Sequence, residues 1–205
     1  MKIGVALVPN IHFQRKVIEV ENRLHTTLGF MNMLGEKENV PHITLFQGNF
    51  DSDMSISYLM NTMYKEYIKV FKIGIVDINK ISCYDSCKFF IDIDKSKNIM
   101  RLHNNILDIV KDRIILDDSR YSLINGNTNY DARVSIINYG SKYMGKNYRP
   151  HITIGKSRFE DSDSTLELLR KEFRNLPKTI IISKIVIYKV GDNGVYKETL
   201  KEMYV

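Results

Sequence analysis

Hydrophobic positions change their spacing along the chain, and each change predicts a different element. Residues 3–8 form a short apolar run closed by Pro9 and Asn10, which predicts a buried opening strand. Over residues 13–28 apolar side chains recur every three or four positions among charged ones, which predicts an amphipathic helix ending at Gly29. The chain is therefore expected to open with a strand followed by a helix.

The remaining pattern alternates irregularly between strand-like and helix-like segments. We predict further strands over residues 40–47, 69–78, 88–94, 149–155, 179–190 and 195–205. We predict further helices from a cap at Asp51 or Ser52 to about residue 65, from a cap at Asp94 or Ser96 along an apolar stripe that closes at Ile114, and over residues 164–174. Asp192, Asn193 and Gly194 predict a hairpin turn before the last strand.

Residues 117–147 differ from the rest because they are rich in Asp, Asn, Ser, Gly and Tyr, which predicts a long polar loop. The overall order lacks the regular alternation of a doubly wound sheet and predicts a mixed α/β (α+β) fold. No low-complexity linker divides the chain, so residues 1–205 are expected to form one domain. Helices flank two similar strands, which favours two similar lobes that face each other.

Composition narrows the possible partners. The chain has 205 residues, 43% of them hydrophobic and 26% charged, an ordinary globular balance. The net charge of +6 suits a phosphorylated or polyanionic partner, although it fits general solubility equally well. Two cysteines, Cys83 and Cys87, are too few for a secreted disulfide scaffold or a zinc site. With no run long enough for a membrane span, we expect a cytoplasmic monomer without a membrane partner.

The tetrapeptide Pro-His-Ile-Thr occurs twice, at residues 41–44 and 150–153, each time within a predicted strand. Side chains of a strand alternate between its faces, so His42 and Thr44 share one face, as do His151 and Thr153. If the two strands lie in facing lobes, two imidazoles and two hydroxyls line one groove. One histidine can then act as general base and the other as general acid, while the threonines hold phosphate oxygens.

The repeat has two other interpretations. A single His-x-Thr in a strand is usually structural, but two identical copies in equivalent settings are much harder to explain that way. A metal site would need one or two further ligands, and no His, Cys, Asp or Glu stands at fixed spacing beside either copy. We therefore predict catalysis without a metal or another cofactor.

On these motifs the sequence resembles the 2H phosphoesterase superfamily, which is named for two His-x-Thr/Ser motifs. The superfamily includes RNA 2′,3′-cyclic phosphodiesterases once called 2′-5′ RNA ligases, the RNA-trimming enzyme of U6 maturation and enzymes that cleave 2′-5′ oligoadenylates. The resemblance implies a bilobal fold with a mostly antiparallel sheet in each lobe, and it implies that His42 and His151 are the acid and base and Thr44 and Thr153 the phosphate holders. The polar segment 117–147 is longer than the connection in compact members.

Other residues are candidates for substrate binding. Tyr148 and Arg149 precede the second motif and Lys156 follows it, while Phe46 alternates onto the face of His42 and could stack on a base. Tyr143 stands among the tyrosines and cations of the polar segment, a composition that suits nucleotides or single-stranded RNA.

The predicted function is hydrolysis of a nucleotide phosphodiester. The expected substrate is a 2′,3′-cyclic phosphate or a 2′-5′ linkage at an RNA end or in an oligonucleotide, or a cyclic nucleotide signal. The alternative is a module of the same fold that binds a nucleotide or RNA end without turning it over.

Overall fold

The computed structural model describes residues 1–51, 55–71, 74–84, 87–126, 128–159, 162–191 and 194–205. The described residues form eight strands: β1 (Lys2–Pro9), β2 (Ile43–Phe50), β3 (Ile75–Tyr84), β4 (Lys88–Ile93), β5 (Ile114–Ile115), β6 (His151–Lys156), β7 (Thr179–Val190) and β8 (Tyr196–Tyr204). They also form five α-helices: α1 (Ile11–Leu28), α2 (Ile56–Val70), α3 (Lys97–Val110), α4 (Tyr130–Tyr139) and α5 (Ser162–Glu172).

The strands pair in the order β1-β2-β6-β4-β3-β7-β8, and every pairing is antiparallel. Strand β1 also pairs with β7, so the path returns to its start. Two groups of strands result: β1, β2, β5, β7 and β8 form the first half-sheet, and β3, β4 and β6 form the second. The half-sheets meet where Ile43 pairs with Ile152 and where residues 75–77 pair with residues 179–181. This is the bilobal mixed α+β fold expected from the sequence.

Helices cover one face of both half-sheets because each has an apolar stripe that must be buried. Val17 of α1, Met60 of α2 and Ile106 of α3 are fully buried in one cluster that also contains Ile43 and Ile152, the middle residues of the two tetrapeptides. Because neighbours in a strand point to opposite faces, the histidines and threonines of both tetrapeptides lie on the face away from the helices.

Local signals explain where the elements begin and end. The side chain of Asn10 accepts a hydrogen bond from the Phe13 amide at the start of α1, and Gly29 ends this helix in the left-handed conformation. Ser96, one of the two predicted caps, accepts from the Ile99 amide at the start of α3. Three of the other predicted signals lie outside the described residues: Ser52, Asp192 and Asn193. Gly194, the last residue of the predicted turn, has a φ of +83°, which is in the left-handed region that favours glycine.

Several predicted boundaries are wrong. Helix α2 begins after Ser55 rather than after Asp51, since the Ser55 side chain caps it, and it continues to Val70, so β3 starts only at Ile75. Ile114 does not extend α3, because the chain turns after Val110 and Ile114 pairs with Phe50 in β5.

The segment predicted as a long loop contains α4. Asn129 caps this helix by accepting from the Ala132 amide, and Gly140 ends it in the left-handed conformation. Its apolar positions are too few for a clear stripe, which is why the periodicity did not indicate a helix. Across the described part of the chain, none of the helices combines the length and apolar character that crossing a membrane requires.

Candidate active site

The two tetrapeptides lie side by side because their central isoleucines pair. Ile43 of β2 is opposite Ile152 of β6 in an antiparallel register. Continuing this register by one residue in each direction places His42 across from Thr153 and Thr44 across from His151. The pair of strands therefore has a local two-fold arrangement, and all four polar side chains lie on the face opposite the helices.

Each imidazole is fixed by its own backbone. The Nδ1 atom of His42 lies 2.6 Å from the carbonyl oxygen of Val40, and Nδ1 of His151 lies 2.7 Å from that of Arg149. A carbonyl only accepts, so Nδ1 carries the proton and donates in both rings. Neither Nε2 atom has a hydrogen-bond partner among the described residues, so both are available to a substrate.

A β-bulge follows each threonine. Opposite β1, Val5 pairs with Phe46 and Ala6 with Thr44, which leaves Leu45 as the extra residue of β2. Opposite β4, Phe89 pairs with Gly155 and Phe90 with Thr153, which leaves Ile154 as the extra residue of β6. The bulge re-aims the side chains that follow it, so the strict alternation assumed from the sequence ends at the threonines.

Two stacked rings support the bulge of the first tetrapeptide. The Tyr148 hydroxyl donates to the carbonyl of Thr44 at 3.0 Å, and Nδ1 of His103 donates to the carbonyl of Leu45 at 2.7 Å. The two ring centroids are 3.7 Å apart with an interplanar angle of 3°. The Gly145 amide donates to Nε2 of His103 at 3.0 Å, which ties the end of the polar segment to the first tetrapeptide. His103 is fully buried in α3, in agreement with a structural role.

Aromatic rings surround His42. Tyr188 contacts it edge-on with ring centroids 5.1 Å apart, and Tyr196 lies at 5.4 Å. The Tyr188 hydroxyl also lies 3.4 Å from Oγ1 of Thr44. Tyr188 crosses the backbone at Gly4, where an added Cβ would come within 2.2 Å of its ring, so Gly4 leaves the space that this ring needs. The first half-sheet therefore surrounds its histidine with buried aromatic surface.

Charged groups surround His151 instead. Asp92 pairs with it across β4 and β6, and the Arg149 guanidinium contacts both carboxylate oxygens of Asp92 at 3.0–3.1 Å. Phe90 lies edge-on at 4.5 Å between ring centroids, and Tyr143 of the polar segment lies at 5.8 Å. The second half-sheet therefore combines an ion pair with two aromatic contacts.

Burial dominates the protonation of both rings. The pKa of His42 is lowered to about 4, mainly by loss of solvent; the hydrogen bond to Val40 opposes this shift and the nearby His151 contributes to it. Burial also lowers the pKa of His151, where the Arg149 charge acts in the same direction and the Asp92 carboxylate opposes it. Both rings are therefore neutral at pH 7 in the free protein, and an anion bound between them would raise both pKa values.

The structure corrects two of the predicted substrate-binding residues. Phe46 is fully buried and contacts Phe50 edge-on at 5.4 Å, because the bulge at Leu45 turns its side chain toward the helices. Tyr148 is also buried, with burial raising the pKa of its hydroxyl, and it contacts the backbone of the first tetrapeptide instead of a groove. Neither ring offers a surface to a substrate.

The other predicted residues lie on the His151 side. Tyr143 contacts the His151 ring, Arg149 binds Asp92, and Lys156 is exposed at the end of β6 opposite Lys88. Four residues beside the histidines were not predicted from the sequence: Phe90, Asp92, Tyr188 and Tyr196. Asp92 alternates with apolar residues in a predicted strand, and a charge within such a strand was the available signal for it.

Among the described residues, no group of three or more His, Cys, Asp or Glu side chains could hold a metal ion. The arrangement offers instead two Nε2 atoms and two hydroxyls on one face. Such a set can move protons at two points of one substrate and donate hydrogen bonds to an oxyanion.

The fold is similar to that of E. coli LigT. LigT in its apo form aligns with a TM-score of 0.51 and 11% identity over 99% of this chain and 96% of that one. LigT complexed with ATP aligns with a TM-score of 0.51 and 9% identity, and LigT complexed with 3′-AMP with 0.50 and 10%, each over 100% of this chain and 97% of that one. No family model and no curated protein matches the sequence. The fold that the sequence motifs implied is thereby confirmed: this chain has the fold of the 2H phosphoesterase LigT.

Proposed function

We propose that this chain is a metal-independent 2H phosphodiesterase that hydrolyses a nucleotide phosphodiester. The proposed substrates are a 2′,3′-cyclic phosphate or a 2′-5′ linkage at an RNA end or in an oligonucleotide, or a cyclic oligonucleotide signal. In this proposal His42 and His151 are the acid and base, and Thr44 and Thr153 bind the phosphate.

The observation that best supports this proposal is that both imidazoles are held by the same backbone hydrogen bond. Each ring donates from Nδ1 to the carbonyl two residues before it and presents Nε2 without a partner among the described residues. A structural histidine normally uses both nitrogens, as His103 does with Leu45 and Gly145. Two histidines held in one tautomer on one face suit proton transfer at both ends of a displacement.

The proposed reaction moves two protons. Nε2 of one histidine takes a proton from water as its oxygen attacks phosphorus. Nε2 of the other, protonated when the anionic substrate is bound, gives a proton to the leaving sugar oxygen as its bond to phosphorus breaks. Opening a cyclic phosphate in this way would leave a 2′-phosphate, with the 3′ oxygen as leaving group, as the resemblance implies. The Thr44 and Thr153 hydroxyls donate to the non-bridging oxygens, where negative charge increases.

The LigT structures support nucleotides as the substrate class, since LigT is complexed with 3′-AMP in one and with ATP in another. The polar segment adds support because it supplies Tyr143, an aromatic residue of the kind that RNA-binding proteins stack on bases, in contact with the His151 ring.

Phosphorus NMR tests the proposal directly. The protein is incubated with a 2′,3′-cyclic nucleotide in EDTA, and we expect a phosphomonoester signal to replace that of the cyclic diester. A panel of 2′-5′ oligoadenylates, cyclic dinucleotides, cyclic trinucleotides and RNA ends would then rank the substrates. Ligands that bind across the panel but stay unchanged would overturn the proposal in favour of a binding module.

A further inference from the structure

A cavity of about 520 Å³ adjoins the second tetrapeptide and is not used by the proposed reaction. Its lining includes Pro150, directly before His151, together with Asp92 and Ile93. The lining also includes Lys80, Tyr84, Lys95 and Arg149. Its volume falls in the range of pockets that hold small ligands.

The register of the second half-sheet connects this cavity to the candidate active site. His151 pairs with Asp92 of β4, and Asp92 pairs with Lys80 of β3. These three residues therefore lie in a row across three strands on the same face. With strands about 4.8 Å apart, Lys80 is about 10 Å from His151. A ligand that extends from His151 by one further unit would reach the cavity.

Arg149 forms a flat surface in one wall. Its guanidinium carbon lies 3.0 Å from the centroid of the Tyr84 ring, while its terminal nitrogen contacts Asp92 and, at 3.4 Å, the hydroxyl of Ser82. The side chain is thus held against Tyr84 and remains 20% exposed. A guanidinium plane fixed in this way is a stacking surface for an RNA base, with little entropy left to lose on binding.

Lysines supply charge for a phosphate. Lys80 and Lys95 are both exposed, and neither forms an ion pair with another of the described residues. Asp94 also lines the cavity, so the groups outside the Asp92–Arg149 pair still leave an excess of one positive charge. This combination of a fixed plane and mobile cations fits a nucleotide better than a free sugar or an apolar ligand.

We propose that this cavity is a subsite for the nucleotide that precedes the one carrying the scissile phosphate. The base of that preceding nucleotide would stack on Arg149, and Lys80 and Lys95 would bind the phosphate that joins the two nucleotides. This subsite rests on the proposed function, because it concerns which substrate the proposed phosphodiesterase prefers. It would make an oligonucleotide end a better substrate than a mononucleotide.

Kinetics on two substrates test the subsite. A 2′,3′-cyclic mononucleotide is compared with a dinucleotide that ends in the same cyclic phosphate. One stacked base is expected to raise kcat/KM of the dinucleotide by roughly 5-fold to 150-fold over the mononucleotide. Equal values for the two substrates in the unaltered protein would overturn the subsite while leaving the proposed function intact.

Variants separate the two parts of the subsite. Lys80→Gln combined with Lys95→Gln should lower kcat/KM for the dinucleotide only, and should reduce the slope of log KM against log salt by about 0.7 for each phosphate that the variant no longer binds. Arg149→Lys keeps the charge but removes the plane, so it should reduce the dinucleotide advantage with an unchanged salt slope. Lys65→Gln combined with Lys171→Gln removes the same two charges from exposed positions of α2 and α5, away from this face, and is the matched control for charge. Equal losses on both substrates would contradict the subsite.

A binding measurement keeps the two proposals distinguishable if neither substrate is turned over. Fluorescence anisotropy with a labelled dinucleotide 2′,3′-cyclic phosphate should then show weaker binding to the Lys80→Gln, Lys95→Gln double variant than to the Lys65→Gln, Lys171→Gln control. Equal affinity of the two variants would overturn the subsite, whereas the lack of turnover would by itself overturn only the enzymatic function.

Discussion

The two tetrapeptides have the same backbone arrangement but different neighbours. Both histidines donate from Nδ1 to the carbonyl two residues earlier, and both threonines precede a bulge. His42, however, lies against Tyr188 and Tyr196, whereas His151 pairs across the strands with Asp92. A repeated sequence thus reproduces geometry, while the surrounding strands decide how strongly each ring holds a proton.

Their supports differ as well. The bulge after Thr44 is held by the stacked His103 and Tyr148, which bind the carbonyls of Leu45 and Thr44. On the other side, the ion pair with Asp92 anchors Arg149, whose carbonyl accepts the hydrogen bond from Nδ1 of His151. Neutral hydrogen bonds therefore hold one tetrapeptide and an ion pair holds the other, so the two sides should respond differently to mutation and pH.

The largest expected effect comes from removing either histidine. His42→Ala and His151→Ala should each lower kcat roughly 10²-fold to 10⁴-fold, and the double variant should be little slower than the slower single variant, since the two rings act as a unit. Steady-state rates on a confirmed substrate measure this, with thermal melting as a check on folding. Near-full activity of either single variant would exclude the two-histidine mechanism.

An aryl phosphodiester would show which ring is the acid. Its leaving group needs no proton, so only the variant that lacks the acid should regain activity relative to the unaltered protein. If both variants or neither regain activity on the aryl phosphodiester, the two histidines do not act as one acid and one base.

The second largest effect is a pH dependence of stability on the His42 side. Burial lowers the pKa of His103 to about 4, against about 6.5 in an unfolded chain. The unfolded state therefore binds more protons as the pH falls, and the free energy of unfolding should decrease between pH 6.5 and pH 4 by about 3 kcal/mol from this residue. His103→Gln should flatten that part of the profile, and His12→Gln is the matched control. Urea unfolding at several pH values measures the free energy of unfolding. If its slope against pH is unchanged in His103→Gln, His103 is not the source of the pH dependence.

A smaller effect is expected from one hydroxyl. Tyr148→Phe leaves the Thr44 carbonyl without its donor and should lower the free energy of unfolding by about 1–3 kcal/mol. Tyr67→Phe is the matched control, because the buried Tyr67 hydroxyl has no partner among the described residues. Denaturant unfolding should show a loss only for Tyr148→Phe. Equal losses in both variants would mean that the hydrogen bond to the first tetrapeptide is not the cause.

The smallest effect concerns the ion pair beside His151. Asp92→Asn removes the charge that raises the pKa of His151 and leaves the Arg149 charge that lowers it, so the pKa of His151 should fall. The pKa of His42 should change less than that of His151, because Asp92 does not act on it directly and His151 is the smallest of the influences on it. An NMR titration of the imidazole protons follows both rings, with Asp94→Asn as the control. A rise for His151, or an equal shift in both rings, would contradict the assigned asymmetry.

Much of the fold could be predicted from periodicity. The first strand, α1, β4, β7 and the final strand follow from apolar spacing and from local stop signals such as Pro9 and Gly29. Helix α4 could not be found in this way, since its cap residues are clear but its apolar stripe is not. The same limit applies to Phe46, whose direction depends on a bulge that only the pairing of β2 with β1 creates.

The sequence by itself determined that two His-x-Thr pairs exist, each on one face of a strand, because alternation is a property of the local backbone. Only the tertiary structure decided that Ile43 pairs with Ile152, that bulges end the alternation, and that His103 and Tyr148 bind one tetrapeptide while Asp92 and Arg149 adjoin the other. These contacts join residues far apart in the chain, and no local pattern encodes which strands become neighbours. The repeat therefore indicates the chemistry, and the pairing of distant strands decides the environment in which that chemistry would operate.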